Sequence, residues 1–536
     1  MTTKRVDRPG VRGGHHLWAE TCARTANPRI ALPPRIWLAL FICAGVALRL
    51  YGLASKGFWL DEAASVARAD TDWATFFRVF GHGEPNMVLY FGLLHGWLAF
   101  GKSEFTIRLL SVLFSVAAIA LIYALARRLF DTRVALMSAL LLTVNQVHIE
   151  FAQDARSYAL VVFLATASWL FFVRALDEDR PRDWIGWVAT TVLATYAHLF
   201  GALVFAAELA TLLLIERAAI PMRKVAMAAA AIAFVLIPVG TLAMFNDRSQ
   251  LNWLHFRLQA VPGVLFAFAG AGSVRGLSVT PALRALVIAL AVFAIFDFVR
   301  RRPHPPAIAR SNAIVLAGAF VPMVVALAVS IFTPVFHGRF LQISQPSFLI
   351  LVAVGLARIP GVRWMRAAFA VLIALALARD WNYYQANNRE DWRGATEYLV
   401  RSTRPGDALI IYHQQGWSPV HYYSGRFADL GDLPPIVFPS WSTPLEQQLS
   451  VVEMSGPDGP DLRALAALSN RYRRLWAVIS HDTQWRSGRP ETRDTILREL
   501  AHDYRLLDER KFRNVRVLLY QRVREPVGGW ASRESK

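Results

Sequence analysis

The chain has 536 residues, of which 55% are hydrophobic and 18% charged, and its mean hydropathy is +0.33. This composition excludes an ordinary soluble protein and predicts a multi-pass membrane protein. The net charge of +19 is interpreted as a topology signal, since arginine is enriched in cytoplasmic loops, and no nucleic-acid partner is expected. With only Cys22 and Cys43 present, neither a disulfide framework nor a cysteine-based metal site is predicted.

The N-terminal region, residues 1–35, is polar and basic and is predicted to be a cytoplasmic tail before an uncleaved first span. Apolar segments of spanning length follow along the chain, which predicts an all-α polytopic membrane protein with about eleven transmembrane helices. The candidate spans are 36–53, 105–126, 133–150, 157–175, 184–199, 200–216, 224–245, 281–299, 311–333, 338–357 and 362–379.

The apolar run 87–100 is shorter than a comfortable span, and we place it at the membrane interface. With that placement the arginine clusters, including Arg127–Arg128 and Arg300–Arg302, fall on the cytoplasmic side. The first outer loop, 54–104, and the other candidate polar sites then all lie outside the cytoplasm. The protein is therefore predicted to reside in the inner (plasma) membrane, with the lipid bilayer as a partner and its N-terminus in the cytoplasm.

The chain changes character after residue 379. The remaining stretch, 380–536, alternates short apolar runs at 408–412, 475–480 and 515–520 with helix-like segments at 392–401 and 494–504. This pattern predicts a small soluble α/β domain, which the topology places outside the cytoplasm.

Asp61 and Glu62 follow the first span and are the leading candidates for chemistry. Carboxylates at the mouth of a membrane helix are disfavoured unless they face water, a partner or a substrate, so they indicate a functional site. The alternative is that Asp61 is the N-cap of a short helix and Glu62 complements the helix dipole.

Further polar clusters lie at the same membrane depth. Asp154 and Arg156 are two residues apart and so do not share a helix face, which indicates different partners, although a local helix-capping ion pair is the alternative. His198 lies in a polar break between two spans and is read as a ligand or as a structural histidine. Arg339, after His337 and Gly338, and likewise Arg108, suit phosphate recognition, with snorkelling to lipid phosphate as the alternative.

Several motifs together resemble the bacterial glycosyltransferase 39-like proteins, which are GT-C fold relatives of protein O-mannosyltransferases and lipid A aminoarabinose transferases. The motifs are Trp59-Leu60-Asp61-Glu62-Ala63, Leu89-Tyr90-Phe91 with His95, Arg108-Leu109, Gln153-Asp154-Ala155-Arg156-Ser157-Tyr158-Ala159-Leu160, Tyr196-Ala197-His198-Leu199-Phe200-Gly201, Gly338-Arg339-Phe340 and Glu390-Asp391-Trp392-Arg393. The resemblance covers about residues 36–415 and depends on the order of the motifs, since each one alone is weak.

The resemblance implies a GT-C-like transmembrane domain over 36–379, a polyprenyl-phosphate-linked sugar as donor, and a glycolipid, polysaccharide or protein hydroxyl as acceptor outside the cytoplasm. Transfer is expected to invert the anomeric centre. Asp61 matches the general base and Glu62 its acidic companion. Asp154 and Arg156 match the second-loop acid and its basic neighbour, and Arg339 suits the leaving lipid phosphate.

One departure from the family concerns the interfacial element. Relatives often carry His-Pro-Pro-Leu-Tyr-Tyr, whereas this chain has Asn86-Met87-Val88 before Leu89 and Tyr90. An asparagine can hydrogen-bond but carries no charge, so Asn86, Tyr90 and His337 enter the predicted substrate-binding set without a titrating role for Asn86.

The chemistry of sugar transfer supports the same residues independently of the family resemblance. A sugar hydroxyl needs a carboxylate to accept its proton during attack, and a positioned base contributes roughly 10²–10⁴-fold. Cations stabilise the departing phosphate. No cofactor is required by the sequence, although a divalent cation held by Asp61 and Glu62 is left open.

Two other functional classes are alternatives to a glycosyltransferase. An ion- or proton-coupled transporter or lipid flippase would use the acids as a relay, but transporters favour acids near the midplane and inverted repeats, neither of which is visible. A non-catalytic partner of an envelope-polysaccharide assembly complex would tolerate loss of Asp61.

Overall fold

The computed structural model describes residues 32–82, 86–216, 220–245, 260–271, 279–301, 304–386, 389–412, 416–438, 462–480 and 490–523. Most of the predicted N-terminal tail, residues 1–31, lies outside these ranges. The fold is mostly helical, with a small sheet near the C-terminus.

Every predicted span contains a helix. The helices of this part of the chain are α1 (Pro34–Leu50), α2 (Leu60–Ala69), α3 (Trp73–His82), α4 (Val88–Trp97), α5 (Glu104–Leu129), α6 (Thr132–Thr143), α7 (Gln146–Ala152), α8 (Tyr158–Glu178), α9 (Pro181–Ala197), α10 (Ala202–Leu212), α11 (Met222–Phe245), α12 (Ala260–Phe268), α13 (Val279–Arg300), α14 (Pro306–Val329), α15 (Gln345–Arg358) and α16 (Val362–Gln385). Within the described ranges, six helices are long and apolar enough to cross a membrane, or up to seven if a bent pair counts as one span. A multi-pass membrane fold is thus supported, and the count of about eleven stays a prediction.

The predicted span 133–150 is broken in the structure. Helices α6 and α7 meet at a bend of 58°. Asn145 begins α7, where its side-chain oxygen accepts the His148 backbone N–H at 3.1 Å and its amide group donates to the Phe268 carbonyl at 3.0 Å. Because these bonds satisfy polar groups freed by the break, the chain can turn and deliver residues 153–157 to the outer ends of the helices.

Helices α3 and α4 are too short to span a bilayer, at 10 residues each. Trp73 and Phe77 of α3 expose their rings, and α4 continues into a 3-10 turn over Leu98–Phe100. Exposed aromatic rings on an amphipathic helix are typical of a membrane interface. The length of α4 excludes a straight span over 87–100 by itself, and its placement at the interface stays a prediction.

The bundle has two chemically different ends, which α5 connects. Its first turns carry Glu104 and Arg108 beside α2, and its last turn carries Arg128, which pairs with Asp177 and Glu178 of α8 at 2.9 and 2.5 Å. Arg310 of α14 also pairs with Asp177 at this far end. The arginine-rich clusters and the candidate acids therefore lie at opposite ends of the bundle.

The soluble part begins after α16, which runs on to Gln385, past the predicted boundary at 380. Its elements are α17 (Trp392–Ser402), β1 (Ala408–Tyr412), α18 (Trp417–Arg426), β2 (Ile436–Phe438), α19 (Leu462–Arg471), β3 (Arg474–Ser480), α20 (Pro490–Asp503), β4 (Tyr504–Phe512) and β5 (Val515–Arg522). The five strands form one sheet in the order β2-β1-β3-β5-β4, with β1 parallel to β2 and β3, and β5 antiparallel to β3 and β4.

Candidate functional site

The side chains of Asp61 and Glu62 leave helix α2 in different directions. The helix begins at Leu60, and its N-cap is Trp59, which makes no side-chain cap. Asp61 is therefore in the first turn, and the capping alternative is wrong. Adjacent helical residues are rotated by about 100°, so Glu62 is fully buried while the Asp61 side chain remains 28% exposed.

Glu62 is held by four donors. Arg108 binds it through two parallel bonds, Nε to Oε1 and Nη2 to Oε2, both 2.7 Å long. Arg389 donates to Oε2 at 2.5 Å, and the Ala155 backbone N–H donates to Oε1 at 3.0 Å. Although burial opposes ionisation, the two guanidinium groups hold the pKa of Glu62 below its usual value.

Arg108 is only 1% exposed, so the alternative that it snorkels to lipid is wrong. Besides Glu62, its guanidinium donates to the backbone carbonyl groups of Leu53, Lys56 and Gly57 at 2.7, 2.7 and 3.0 Å. Arg108 thus fixes the loop that leads into α2, and it uses the planar five-donor geometry that lysine lacks.

Asp61 faces two other arginines. Arg339 Nη1 lies 3.4 Å from its Oδ2 atom, and Arg156 Nη2 lies 3.8 Å from the same oxygen. The Arg339 guanidinium also lies over the Trp59 ring, 5.7 Å from the centroid. The partly exposed Asp61 carboxylate can accept a proton, and the two guanidinium groups beside it can bind an anion such as a phosphate.

Asp154 contacts Trp59, whose ring lies next to Arg339. Its Oδ1 atom accepts the Trp59 indole N–H at 2.8 Å and is 3.6 Å from Arg389 Nη2. Burial, assisted by the nearby Glu62 carboxylate, raises the pKa of Asp154 to about 7. Asp154 and Arg156 therefore have different partners, as their spacing predicts.

The remaining predicted residues surround Arg156 and Arg339 without touching Asp61. The Tyr90 hydroxyl bonds to the Ser111 hydroxyl at 3.0 Å, and Ser111 in turn donates to the Arg156 carbonyl at 3.3 Å. His337 Nδ1 accepts the Arg339 backbone N–H at 3.3 Å. Burial and the adjacent guanidinium lower the pKa of His337 to about 3, so its imidazole is neutral.

His198 and Asn86 hold the break between α9 and α10. The Nδ1 atom of His198 accepts the Phe200 N–H at 3.2 Å, and its buried ring lies 5.3 Å from the ring of Phe340, next to Arg339. The Asn86 side chain accepts the Leu199 N–H at 3.1 Å. These contacts are structural, and they join the interfacial helices to the Arg339 segment.

The acidic pair does not fit the divalent cation that the sequence leaves open. Both Glu62 oxygens already accept hydrogen bonds from guanidinium or amide groups, and Asp61 is flanked by two positive charges. No group of three or more His, Cys, Asp or Glu side chains in the described ranges is placed to hold a metal. No step below depends on a metal.

Arg389 opens the stretch Arg389-Glu390-Asp391-Trp392-Arg393, for which the sequence leaves open a role in acceptor binding or in sealing the C-terminal domain onto the spans. It follows α16 and reaches back to Glu62, Asp154 and the Gln153 carbonyl, the last at 3.2 Å. The sequence does not indicate these individual partners. Trp59 belongs to a motif, but its position between Asp154 and Arg339 is visible only in the structure.

An apolar groove of about 210 Å³ opens between the interfacial helices and the membrane helices α9 and α11. It is lined by Phe77, Phe80, Gly81, Val88, Tyr196, Pro238, Val239 and Leu242. Tyr196 is two residues from His198, so the groove adjoins the break that packs against Phe340.

Comparison with known proteins gives one family and a set of related folds. Residues 84–241 match the family described as dolichyl-phosphate-mannose-protein mannosyltransferase. The comparison with curated proteins gives no significant match.

Among solved structures, the oligosaccharyltransferase of Archaeoglobus fulgidus in complex with Zn and sulfate superposes with a TM-score of 0.51 at 12% identity, covering 89% of this chain and 73% of that one. The same organism's AglB with an inhibitory peptide and a dolichol-phosphate gives 0.50 at 12% identity, covering 86% and 70%. ArnT from Cupriavidus metallidurans aligns over 90% of this chain and 97% of its own, with 16% identity and a TM-score of 0.45. The matched segment and the shared architecture confirm the resemblance of this chain to GT-C-fold membrane glycosyltransferases.

Proposed function

We propose that this protein transfers a sugar from a polyprenyl-phosphate donor to an acceptor hydroxyl outside the cytoplasm. The observation that carries the proposal is the accessible Asp61 carboxylate, flanked by Arg339 and Arg156 at 3.4 and 3.8 Å. The family matched by residues 84–241 takes its name from a lipid-phosphate-linked sugar. The AglB complex, which shares the fold, contains dolichol-phosphate.

Asp61 acts as the general base in this mechanism. It accepts the proton of the acceptor hydroxyl while the hydroxyl oxygen bonds to the anomeric carbon, and the bond from that carbon to the phosphate oxygen breaks on the opposite side. Attack from that side inverts the anomeric centre. Because both guanidinium groups approach Oδ2, Oδ1 is the oxygen offered to the hydroxyl.

Arg339 and Arg156 receive the charge of the departing lipid phosphate. Each guanidinium has five N–H donors in a planar fork, so it can bind a phosphate while it still faces Asp61. Preorganised cations at the place where charge develops usually supply the largest catalytic effect. The Trp59 ring makes a cation–π contact with Arg339, and Asp154 orients that ring by accepting its indole N–H.

Glu62 has a positioning role in this mechanism, since both of its oxygens are occupied. Tyr90, through Ser111, and His337 support the backbone of Arg156 and Arg339. Asn86 and His198 hold the break between α9 and α10, against which Phe340 packs. The apolar groove beside Tyr196 suits the prenyl chain of the donor, because its lining is almost entirely hydrocarbon.

We infer that the acceptor side faces the extracytoplasmic compartment. The arginines at the far end of the bundle, such as Arg128 and Arg310, support this orientation through the positive-inside rule, under which the Asp61 end and the sheet domain lie outside. Envelope glycolipids such as lipopolysaccharide, polysaccharides and protein hydroxyls are the acceptors compatible with this placement.

We expect a reporter fused after Ala386 to be active only outside the cytoplasm. Alkaline phosphatase at this point should be enzymatically active, and a fluorescent protein that folds only in the cytoplasm should be dark. A fusion after Glu178, at the far end of the bundle, is the matched control and should give the reverse pattern. Phosphatase activity at Glu178 but not at Ala386 would invert the proposed topology.

We expect Arg339→Ala to slow donor turnover by about 10²–10³-fold, the usual cost of losing one donor to a developing anion. Arg339→Lys should retain more activity, because it keeps the charge but loses the planar fork. The control is Arg310→Ala, whose partner Asp177 lies at the far end of the bundle. Turnover is measured as disappearance of the lipid-linked sugar, and equal rates for wild type and both Arg339 variants would remove Arg339 from the site.

The sugar and the acceptor can be identified from a deletion strain. Its lipid extract should lack one sugar on an envelope component and accumulate the corresponding polyprenyl-phosphate donor. Together with the unmodified envelope component of the same strain, this lipid extract supplies donor and acceptor for the transfer assays.

A further inference from the structure

The segment Phe58–Glu62, which presents Asp61, is held at both ends by residues that follow the membrane helices. Glu62, at its C-terminal end, accepts the hydrogen bond from Arg389 at 2.5 Å. At its N-terminal end, the Phe58 backbone N–H donates to the hydroxyl of Tyr423 in α18 at 2.7 Å. Two separate points of the soluble region therefore contact the segment that carries the base.

Tyr423 is itself fixed by a buried cluster. Its hydroxyl donates to Glu104 Oε1 at 3.0 Å, and Glu104 also pairs with Arg393 and Arg426 at 2.6 and 2.5 Å. The hydroxyl lies so close to the chain that a Cβ atom at Gly57 would come within 3.1 Å of it. The approach of α18 to residues 57–58 is therefore tight and specific.

The position of Asp61 depends on this support, because its own side chain is only loosely held. The contacts of the carboxylate are 3.4 and 3.8 Å long, and the N-cap residue of α2 does not cap the helix with its side chain. The backbone of residues 58–62 must therefore set where the carboxylate lies. A misplacement of about 1 Å at a reacting group can cost about 10²-fold in rate.

We propose that Arg389 and Tyr423 are positioning residues of the transfer reaction, which clamp the segment Phe58–Glu62 and so hold Asp61 against the acceptor hydroxyl. The proposal rests on the glycosyltransferase function above. It makes the soluble region part of the active site's framework, since neither residue belongs to the membrane helices. Neither side chain contacts Asp61 itself.

The sharpest test compares two neighbouring tyrosines. Tyr423→Phe removes the hydroxyl that binds Phe58 and Glu104 and keeps the buried ring. Tyr422→Phe is the matched control, because the Tyr422 hydroxyl donates to the Lys102 carbonyl at 2.7 Å and not to the clamped segment. With the deletion-strain lipid extract as substrate, we expect Tyr423→Phe to lower the maximal rate by about 10–10²-fold, and Tyr422→Phe to leave it near wild type.

The half-saturating concentration of the extract should change little, because Arg156, Arg339 and the apolar groove are intact. Arg389→Gln should behave in the same way, and Arg389→Lys should restore part of the rate, since the ammonium still reaches Glu62. Arg401→Gln, at an exposed pair with Glu397, is its control.

A purely structural role is separated from positioning by a third comparison. Ile479→Val in β3 creates a small cavity in a hydrophobic cluster of the sheet that does not include Tyr423, and it should lower the melting temperature without lowering the maximal rate. Rates of Tyr423→Phe that match those of Ile479→Val at equal loss of melting temperature would overturn the proposal, as would a rise in half-saturation at unchanged maximal rate. Asp61→Asn is measured in the same assay. Full activity of Asp61→Asn would contradict the proposed function. An inactive Asp61→Asn together with a fully active Tyr423→Phe would contradict only the positioning role of Tyr423.

Discussion

Asp61→Asn should reduce sugar transfer by about 10²–10⁴-fold, the contribution of a positioned general base. The amide has nearly the same shape as the carboxylate but cannot accept a proton from a hydroxyl at neutral pH. Its oxygen can still face Arg339 and Arg156, so the helix and the phosphate-binding cations should stay in place. The rate is measured by transfer of the lipid-linked sugar from the deletion-strain extract, with expression and thermal unfolding recorded beside it.

Asp70→Asn is the matched control for this substitution. Asp70 ends the same helix, but its carboxylate forms an exposed ion pair with Lys102 at 2.6 Å, and such pairs contribute little. We expect this variant to be as active as wild type. Transfer by Asp61→Asn at a rate near that of Asp70→Asn would remove Asp61 as the base.

Glu62→Gln should destabilise the protein by about 3–5 kcal/mol, the usual cost of breaking a buried ion pair by removing one partner. The substitution leaves Arg108 buried without its carboxylate partner and Arg389 with Asp154 alone, and a glutamine amide cannot accept at both positions that the two arginines occupy. The measurement is the free energy of unfolding in detergent, with wild type and variant compared under one set of conditions.

Glu397→Gln provides the surface comparison for that experiment. Glu397 pairs with Arg401 four residues later on α17, and both side chains are largely exposed. Its loss should cost at most about 1 kcal/mol. A loss for Glu62→Gln no larger than that of Glu397→Gln would mean that the buried cluster around Arg108 does not support the fold.

These two predictions assign opposite tasks to adjacent carboxylates. Glu62 is buried and saturated with donors, so it can hold structure but has no free oxygen for chemistry. Asp61 is one residue earlier, remains 28% exposed and meets its cations at longer distances. The roughly 100° rotation per residue of an α-helix is what separates the two environments.

Most of the architecture was predictable from periodicity and charge. The apolar segments correspond to helices, the run 87–100 forms a short helix followed by a 3-10 turn, and the three predicted strands lie in the sheet. The break at Asn145 was not predicted, because 133–150 has the length of one span and is apolar over most of it, and hydropathy does not report helix direction. Strand β4 was also missed, since its residues are mostly exposed and charged, a pattern that does not indicate a strand.

Part of the candidate site was likewise predictable from the sequence and part was not. Asp61, Asp154, Arg156 and Arg339 could be selected from the sequence because charged groups at membrane depth are costly unless they have a task. The sequence also singles out the stretch 389–393, but it does not give the partners of Arg389, because an arginine that follows the last span carries no such cost in sequence terms. Its burial against Glu62 depends on how the soluble region packs onto the bundle.

The sequence by itself determined the membrane class of this protein, the grouping of its candidate polar motifs at one end of the helices, and the segments that fold as helices. Those properties follow from local composition, since hydrophobic length and charge act within single segments. Only the tertiary structure decided which carboxylate is accessible and which is locked. That outcome depends on contacts between residues far apart in the chain, such as Glu62 with Arg108 and Arg389 or Phe58 with Tyr423, and local sequence patterns do not encode such contacts.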